Sequence, residues 1–127
     1  MAIIGAAVVP HPPLIVPAVG RGGEKQIART ARAYEKAARA VAGWRPETVV
    51  ITTPHSVMYQ DYFHLSPGGR ARGDFARFGA PGARYEVAYD SKLVSEVAGL
   101  ARESGLAAGT AGERQPALDH GFLVPLH

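Results

Sequence analysis

The sequence predicts an α/β domain built on a central, mostly parallel sheet flanked by helices. Three observations lead there. Residues 3–9 (IIGAAVV) and 48–52 (TVVIT) are short, continuous apolar runs of the kind that forms buried strands. Each run leads into a proline followed by a histidine: Pro10-His11 and Pro54-His55. Between them lies a stretch of helical periodicity. Strand, crossover helix and strand make a βαβ unit, which in a chain of 127 residues belongs to one domain.

Taken in order, the first strand is expected at residues 3–9. Residues 10–23 (PHPPLIVPAVGRGG) carry four prolines and read as a long rigid loop, neither helix nor central strand. Residues 24–43 read as an amphipathic helix. Lys25, Arg29, Arg32, Lys36 and Arg39 recur at spacings of four and three. Ile27, Ala31, Tyr34, Ala38 and Val41 are offset from them by two residues, or roughly 200° at 3.6 residues per turn. The basic stripe is therefore a solvated face opposite a covered one, and without interleaved aromatic residues it does not read as a nucleic-acid groove.

After the strand at 48–52, residues 61–66 (DYFHLS) read as a strand and 67–82 as a Gly- and Arg-rich loop. Residues 84–89 (RYEVAY) alternate like a strand with one wet face. A helix is predicted over 91–104, with Gly105 at its left-handed C-cap. Residues 106–110 form a further short strand, 112–119 a loop, and 121–126 the start of a helix. Repeats and interdomain linkers are absent from the sequence.

Composition narrows the chemistry. The chain has no cysteine, so disulfides, thiolate metal sites and cysteine nucleophiles are excluded. Any metal must be held by nitrogen and oxygen. The formal charge of +3 argues for no particular partner. Residues 2–20 are almost uncharged, but Pro10, Pro12, Pro13 and Pro17 would break a signal or spanning helix. The expectation is a cytoplasmic protein that engages neither membrane nor nucleic acid.

Of the five histidines, His11 and His55 stand in equivalent places. If their strands are parallel neighbours, both rings project from the carboxyl edge of the sheet, where α/β folds bind ligands. Two metal ligands could be built this way. Equally, each could be a loop histidine satisfied by a backbone carbonyl. His120 follows Asp119, which could orient a ring or cap the following helix. His64 reads as a partly buried hydrogen-bonding residue of a strand. His127 is terminal and suggests no role.

Four blocks then acquire a common meaning: VVPHPPLIVPAVG, TTPHSVMYQDYFHLSPG, GDFARFGAPG and LDHGFLVPL. In this order and spacing they closely resemble the class III extradiol ring-cleavage dioxygenases of subunit-B type. The nearest subgroup is the dioxygenase-like part of AmmeMemoRadiSam system proteins, related to Memo-type proteins. The resemblance implies a non-haem Fe(II) held by His11 and His55, with His120 as the acid/base on the substrate. It implies a small aromatic diol and O2 as substrates, cleaved by an oxidoreductase. The alternative is a Memo-like binding or assembly module that keeps the fold without the catalysis.

The sequence departs from this family at one point. The family's carboxylate ligand is a glutamate well downstream of the DHG-like segment, and residues 121–127 contain no acid. Glu113, Asp61 and Asp74 do not occupy the matching position. Residues 1–127 are therefore expected to be one incomplete domain, lacking the family's C-terminal part. Such a chain would hold iron weakly and would self-associate or need a completing subunit.

Overall fold

The computed structural model describes residues 2–55, 57–112 and 117–127. The architecture is mixed α/β. Among the described residues there are four helices, α1 (Pro17–Gly20), α2 (Ala28–Trp44), α3 (Ser91–Glu103) and α4 (His120–Leu126), and four strands, β1 (Phe63–His64), β2 (Arg70–Phe75), β3 (Ala80–Ala88) and β4 (Ala108–Gly109). β1 and β4 pair in parallel, Phe63 opposite Ala108, while β2 and β3 form an antiparallel hairpin.

The hairpin is the organising element. β3 alternates as expected, with Tyr85 and Val87 turned inward and Arg84 and Glu86 turned to solvent. Its partner β2 lies inside the stretch 67–82, which reads as loop in the sequence. The period-two pattern is present in β2, but its inward positions are Ala71, Gly73 and Phe75, and two of these are too small to give an apolar signal. The register shifts between Asp74 and Phe75, and the connection is a 3-10 turn at Ala76–Phe78 closed by Gly79 at φ 75°. Only glycine adopts that conformation without strain.

The core lies between this hairpin, α4 and the Pro-rich segment. Phe75 and Leu123 are 0% exposed, packed with Val16, Ala71, Leu118 and Val124. Leu118 docks on the hairpin edge by donating its N–H to the Arg72 carbonyl at 3.0 Å. Gly73 permits that approach, since a Cβ there would overlap the Leu118 carbonyl oxygen.

Residues 10–23 are not an irregular loop. They form a 3-10 turn at Pro13–Ile15, then α1, then a second 3-10 turn at Gly23–Ile27. Pro13 and Pro17 stand at the start of their turns, where the missing N–H costs nothing and the fixed φ favours helix. Val16, between the two, is buried and pins the segment to the core.

The helices otherwise follow their patterns. The five basic residues of the α2 stripe are exposed, and Ile27, Ala31, Tyr34 and Val41 are half-buried; Ala38 is exposed. Asp90 caps α3 by accepting the Leu93 N–H at 2.9 Å. Gly105, at φ 71°, and Leu106 close it by donating to the Arg102 and Ala101 carbonyls. This is the two-bond left-handed ending that the glycine signals.

The largest departure concerns the two apolar runs. Residues 3–9 and 48–52 form no strand, and among the described residues they make no backbone–backbone hydrogen bond. Nor are they buried: Ile3 is 94% and Val8 102% exposed. A strand is a property of a pair, and no described segment offers these runs a ladder. Among the described residues, no helix is long and apolar enough to cross a membrane.

Candidate metal centre

Three separate parts of the chain converge on one point. His11 leaves the first apolar run and is held by the turn at Pro13–Ile15 behind it. His55 leaves the second run in a tight turn, its backbone N–H donating to Thr53 Oγ1 at 3.3 Å. His120 is the first residue of α4, so its position is set by the cap of that helix. Asp119 provides the cap, its Oδ1 accepting the Gly121 N–H at 2.6 Å.

Thr53 joins the second and third of these parts. Its hydroxyl donates to Asp119 Oδ1 at 3.4 Å while its Oγ1 also receives the His55 N–H. Gly121 is needed here, because a Cβ would overlap Thr53 Oγ1. The turn carrying His55 and the helix carrying His120 are thus fitted against one another.

The rings themselves are in contact. His11 Nε2 lies 2.7 Å from His55 Nε2. The His55 and His120 ring centroids are 4.2 Å apart, and those of His11 and His120 are 5.6 Å apart. One nitrogen from each ring falls within 4.8 Å of the other two. Adjacent nitrogen ligands on one divalent metal, with bonds near 2.0–2.1 Å, lie about 3 Å apart. The His11–His55 pair therefore fits a first-row divalent metal, and an all-imidazole donor set suits zinc, copper, nickel or iron.

Burial lowers the pKa of His120 from its ordinary value. Positive charge on His55 lowers it further, the Asp119 carboxylate opposes the shift, and His11 adds to it. The balance favours the neutral imidazole, whose lone pair can take a proton or a metal. His11 and His120 are half-buried, while His55 is exposed at the rim.

The other two histidines stand apart. His64 lies half-buried in β1, its ring centroid 5.2 Å from that of Tyr59. His127 Nδ1 meets Tyr85 Oη at 2.5 Å. Among the described residues no carboxylate joins the cluster. Asp74 is used locally, its Oδ1 accepting the Ala76 N–H at 2.8 Å. Glu113 lies outside the described residues.

Two neighbours were not evident from the sequence. Phe78 stands edge-on to His120, with centroids 5.3 Å apart. It is carried by the hairpin turn, which Arg21 ties to the Pro-rich segment by donating to the Gly79 carbonyl at 2.8 Å. No residue-level signal marks Phe78. Thr53 could have been found from its position two residues before a histidine, since a threonine there readily closes a local turn.

A Clostridium acetobutylicum protein, Protein CA_C1420, is 36% identical over 143 residues, an alignment that takes in 100% of this chain and 29% of the relative. The chain thus spans less than a third of that protein's length. No solved structure matches it. A family profile, described as the catalytic LigB subunit of aromatic ring-opening dioxygenase, matches residues 5–127. The match extends over nearly the whole chain, His11, His55 and His120 included, and the chain belongs to this family.

Proposed function

We propose that this chain carries the histidine half of a non-haem Fe(II) extradiol dioxygenase site, of the AmmeMemoRadiSam-associated subgroup, acting on a small aromatic diol and O2. The observation that carries the reading is the convergence of His11, His55 and His120 from three distant parts of the sequence. His11 and His55 would hold the metal. Bound iron would supply the open coordination positions and redox chemistry that O2 activation requires.

The remaining work falls to the chain's own groups. His120, neutral and beside the metal ligands, would accept a phenolic proton from the diol at one ring nitrogen and later return it. Phe78, edge-on to that ring, would shield it from water and offer an apolar surface to a planar substrate. Thr53 and Asp119 would keep His55 and His120 in mutual register.

A second reading has its own observation. No carboxylate joins the cluster among the described residues. Without one, two or three neutral imidazoles bind metal less tightly and with little preference for Fe(II). A Memo-like module without catalysis would look like this. Under the enzymatic reading, the remaining ligand comes from outside the described residues.

Metal titration under anaerobic conditions, followed by catechol-dependent O2 uptake, tests the proposal. His11→Ala and His55→Ala should each weaken Fe(II) or Co(II) binding at least about tenfold, the scale set by loss of a ligand or its support. His64→Ala should leave binding unchanged. Metal binding indifferent to His11 and His55 would refute the site. Metal binding without O2 uptake, in a preparation that includes the remaining ligand, would favour the module.

A further inference from the structure

Arg21 stands in a backbone conformation that costs it free energy. Its φ of 48° and ψ of 40° lie in the left-handed region, where a Cβ crowds the following carbonyl. Gly22 and Gly23 come directly after it, yet the residue at this strained point is not the one that would adopt it freely. A non-glycine residue held in such a conformation points to a role for its side chain. The position is well anchored. The Arg21 N–H donates to the Pro17 carbonyl at 2.9 Å, the Gly22 N–H donates to Glu24 Oε2 at 2.8 Å, and Val16 is buried in the core.

The side chain reaches the hairpin turn. Arg21 Nη2 donates to the Gly79 carbonyl at 2.8 Å, across 58 residues of sequence. The turn's other hydrogen bonds are local. The Gly79 N–H donates to the Ala76 carbonyl at 2.9 Å, and the Ala76 N–H donates to Asp74 Oδ1 at 2.8 Å. These fix the shape of the turn and not its place. Among the described residues, the Arg21 bond is the one hydrogen bond that ties residues 76–79 to a distant part of the chain. Phe78 is next to the tethered carbonyl. Its ring centroid lies 5.3 Å from that of His120 and 6.2 Å from that of Phe75.

We infer that Arg21 is a positioning residue that holds Phe78 against His120. Its tether joins the segment that carries His11 to the turn that carries Phe78. The Thr53–Asp119 bond does the same for the supports of His55 and His120. A guanidinium suits the task, because a charged donor bonds a carbonyl more strongly than a neutral one and its rigid fork loses little freedom in doing so. The consequence for a ligand rests on the function proposed above. With Phe78 tethered, the apolar wall beside His120 is in place before a planar diol arrives, and binding does not have to order it.

Nuclear Overhauser spectroscopy on the metal-free chain is the test, since it reads the contact itself without metal, substrate or turnover. The wild type should show a cross-peak between the Phe78 and His120 ring protons. A second cross-peak, between Phe75 and Tyr85, whose ring centroids are 6.4 Å apart, serves as a reference within the hairpin. Arg21→Gly removes the tether and relieves the backbone strain, so the Phe78–His120 cross-peak should be lost while the reference persists. Arg21→Lys keeps a cationic donor and should retain both. A residue needed only to shape the turn would give the opposite order, with glycine keeping the contact at least as well as lysine, and that result would overturn the proposal. Absence of the contact in the wild type, its loss in the lysine variant, or loss of the reference together with it in the glycine variant would do the same. Catechol, in a preparation that includes the remaining ligand and Co(II), should bind the glycine variant about tenfold more weakly than the wild type, the scale of one hydrogen bond. Equal affinities would overturn the positioning role. A wild type that binds no catechol there would refute the diol reading, and the tether would then stand or fall on the cross-peaks alone.

Discussion

Replacing Asp119 by alanine removes one acceptor that holds two things: the start of α4 and, through it, the His120 ring. The Gly121 N–H loses its 2.6 Å partner and the Thr53 hydroxyl loses its 3.4 Å partner. The second bond is long and contributes little. Loss of an N-cap carboxylate costs about 1 kcal/mol, a factor of about five in the folded-to-unfolded ratio. For a chain of this size that lowers Tm by about 4 °C. Thermal unfolding by circular dichroism, at one fixed protein concentration, is the assay. Asp119→Asn keeps an oxygen at the same place and is nearly as good a cap, though it gives up the favourable charge at the helix N-terminus. It should therefore recover most of the loss. An alanine variant that melts with the wild type, or an asparagine variant as damaged as the alanine, would refute the capping account.

Two further changes test the core and the pH response. Phe75→Ala empties the fully buried centre of the hydrophobic cluster and should cost about 3–5 kcal/mol, a large share of the net stability of a domain this small, read as a fall in the urea midpoint. The Asp90 pKa is lowered first by the Thr48 hydroxyl and then by the Leu93 N–H at the start of α3. With a folded pKa below the unfolded one, its contribution is present above the ordinary carboxylate value of 3.8 and is lost as pH falls through the depressed value. Asp90→Ala should destabilise the protein at neutral pH and flatten the acid limb of its stability curve below about pH 4. An unchanged acid limb would show that Asp90 is not the group responsible.

Local features of this protein were the most legible. The α3 helix and its left-handed ending at Gly105 are written in consecutive residues, and local hydrogen bonds suffice to make them; the cap at Asp90 was equally local but was not singled out. The alternation of Tyr85, Val87 and Tyr89 marked β3 for the same reason. Its partner β2 was hidden because Ala71 and Gly73 bury themselves without announcing it. Prolines misled in residues 10–23, where a breaker in mid-helix serves as a good first residue of a turn.

The site divides along the same line. The equivalence of His11 and His55 could be read from the two Pro-His steps, and the pairing of Asp119 with the start of a helix from their adjacency. The sequence alone also determined which chemistry is open, since a chain without cysteine can bind metal only through nitrogen and oxygen. The resemblance carried by LDHGFLVPL placed His120 with the other two, but only the tertiary structure decided that Thr53 links their supports and that Phe78 covers one ring. It also decided that residues 3–9 and 48–52 lie unpaired and exposed. The physical reason is common to all of these. Caps and turns are satisfied by neighbours within a few residues, whereas a ring contact or a strand ladder depends on a partner far along the chain, and a pattern of residues cannot say whether that partner arrives.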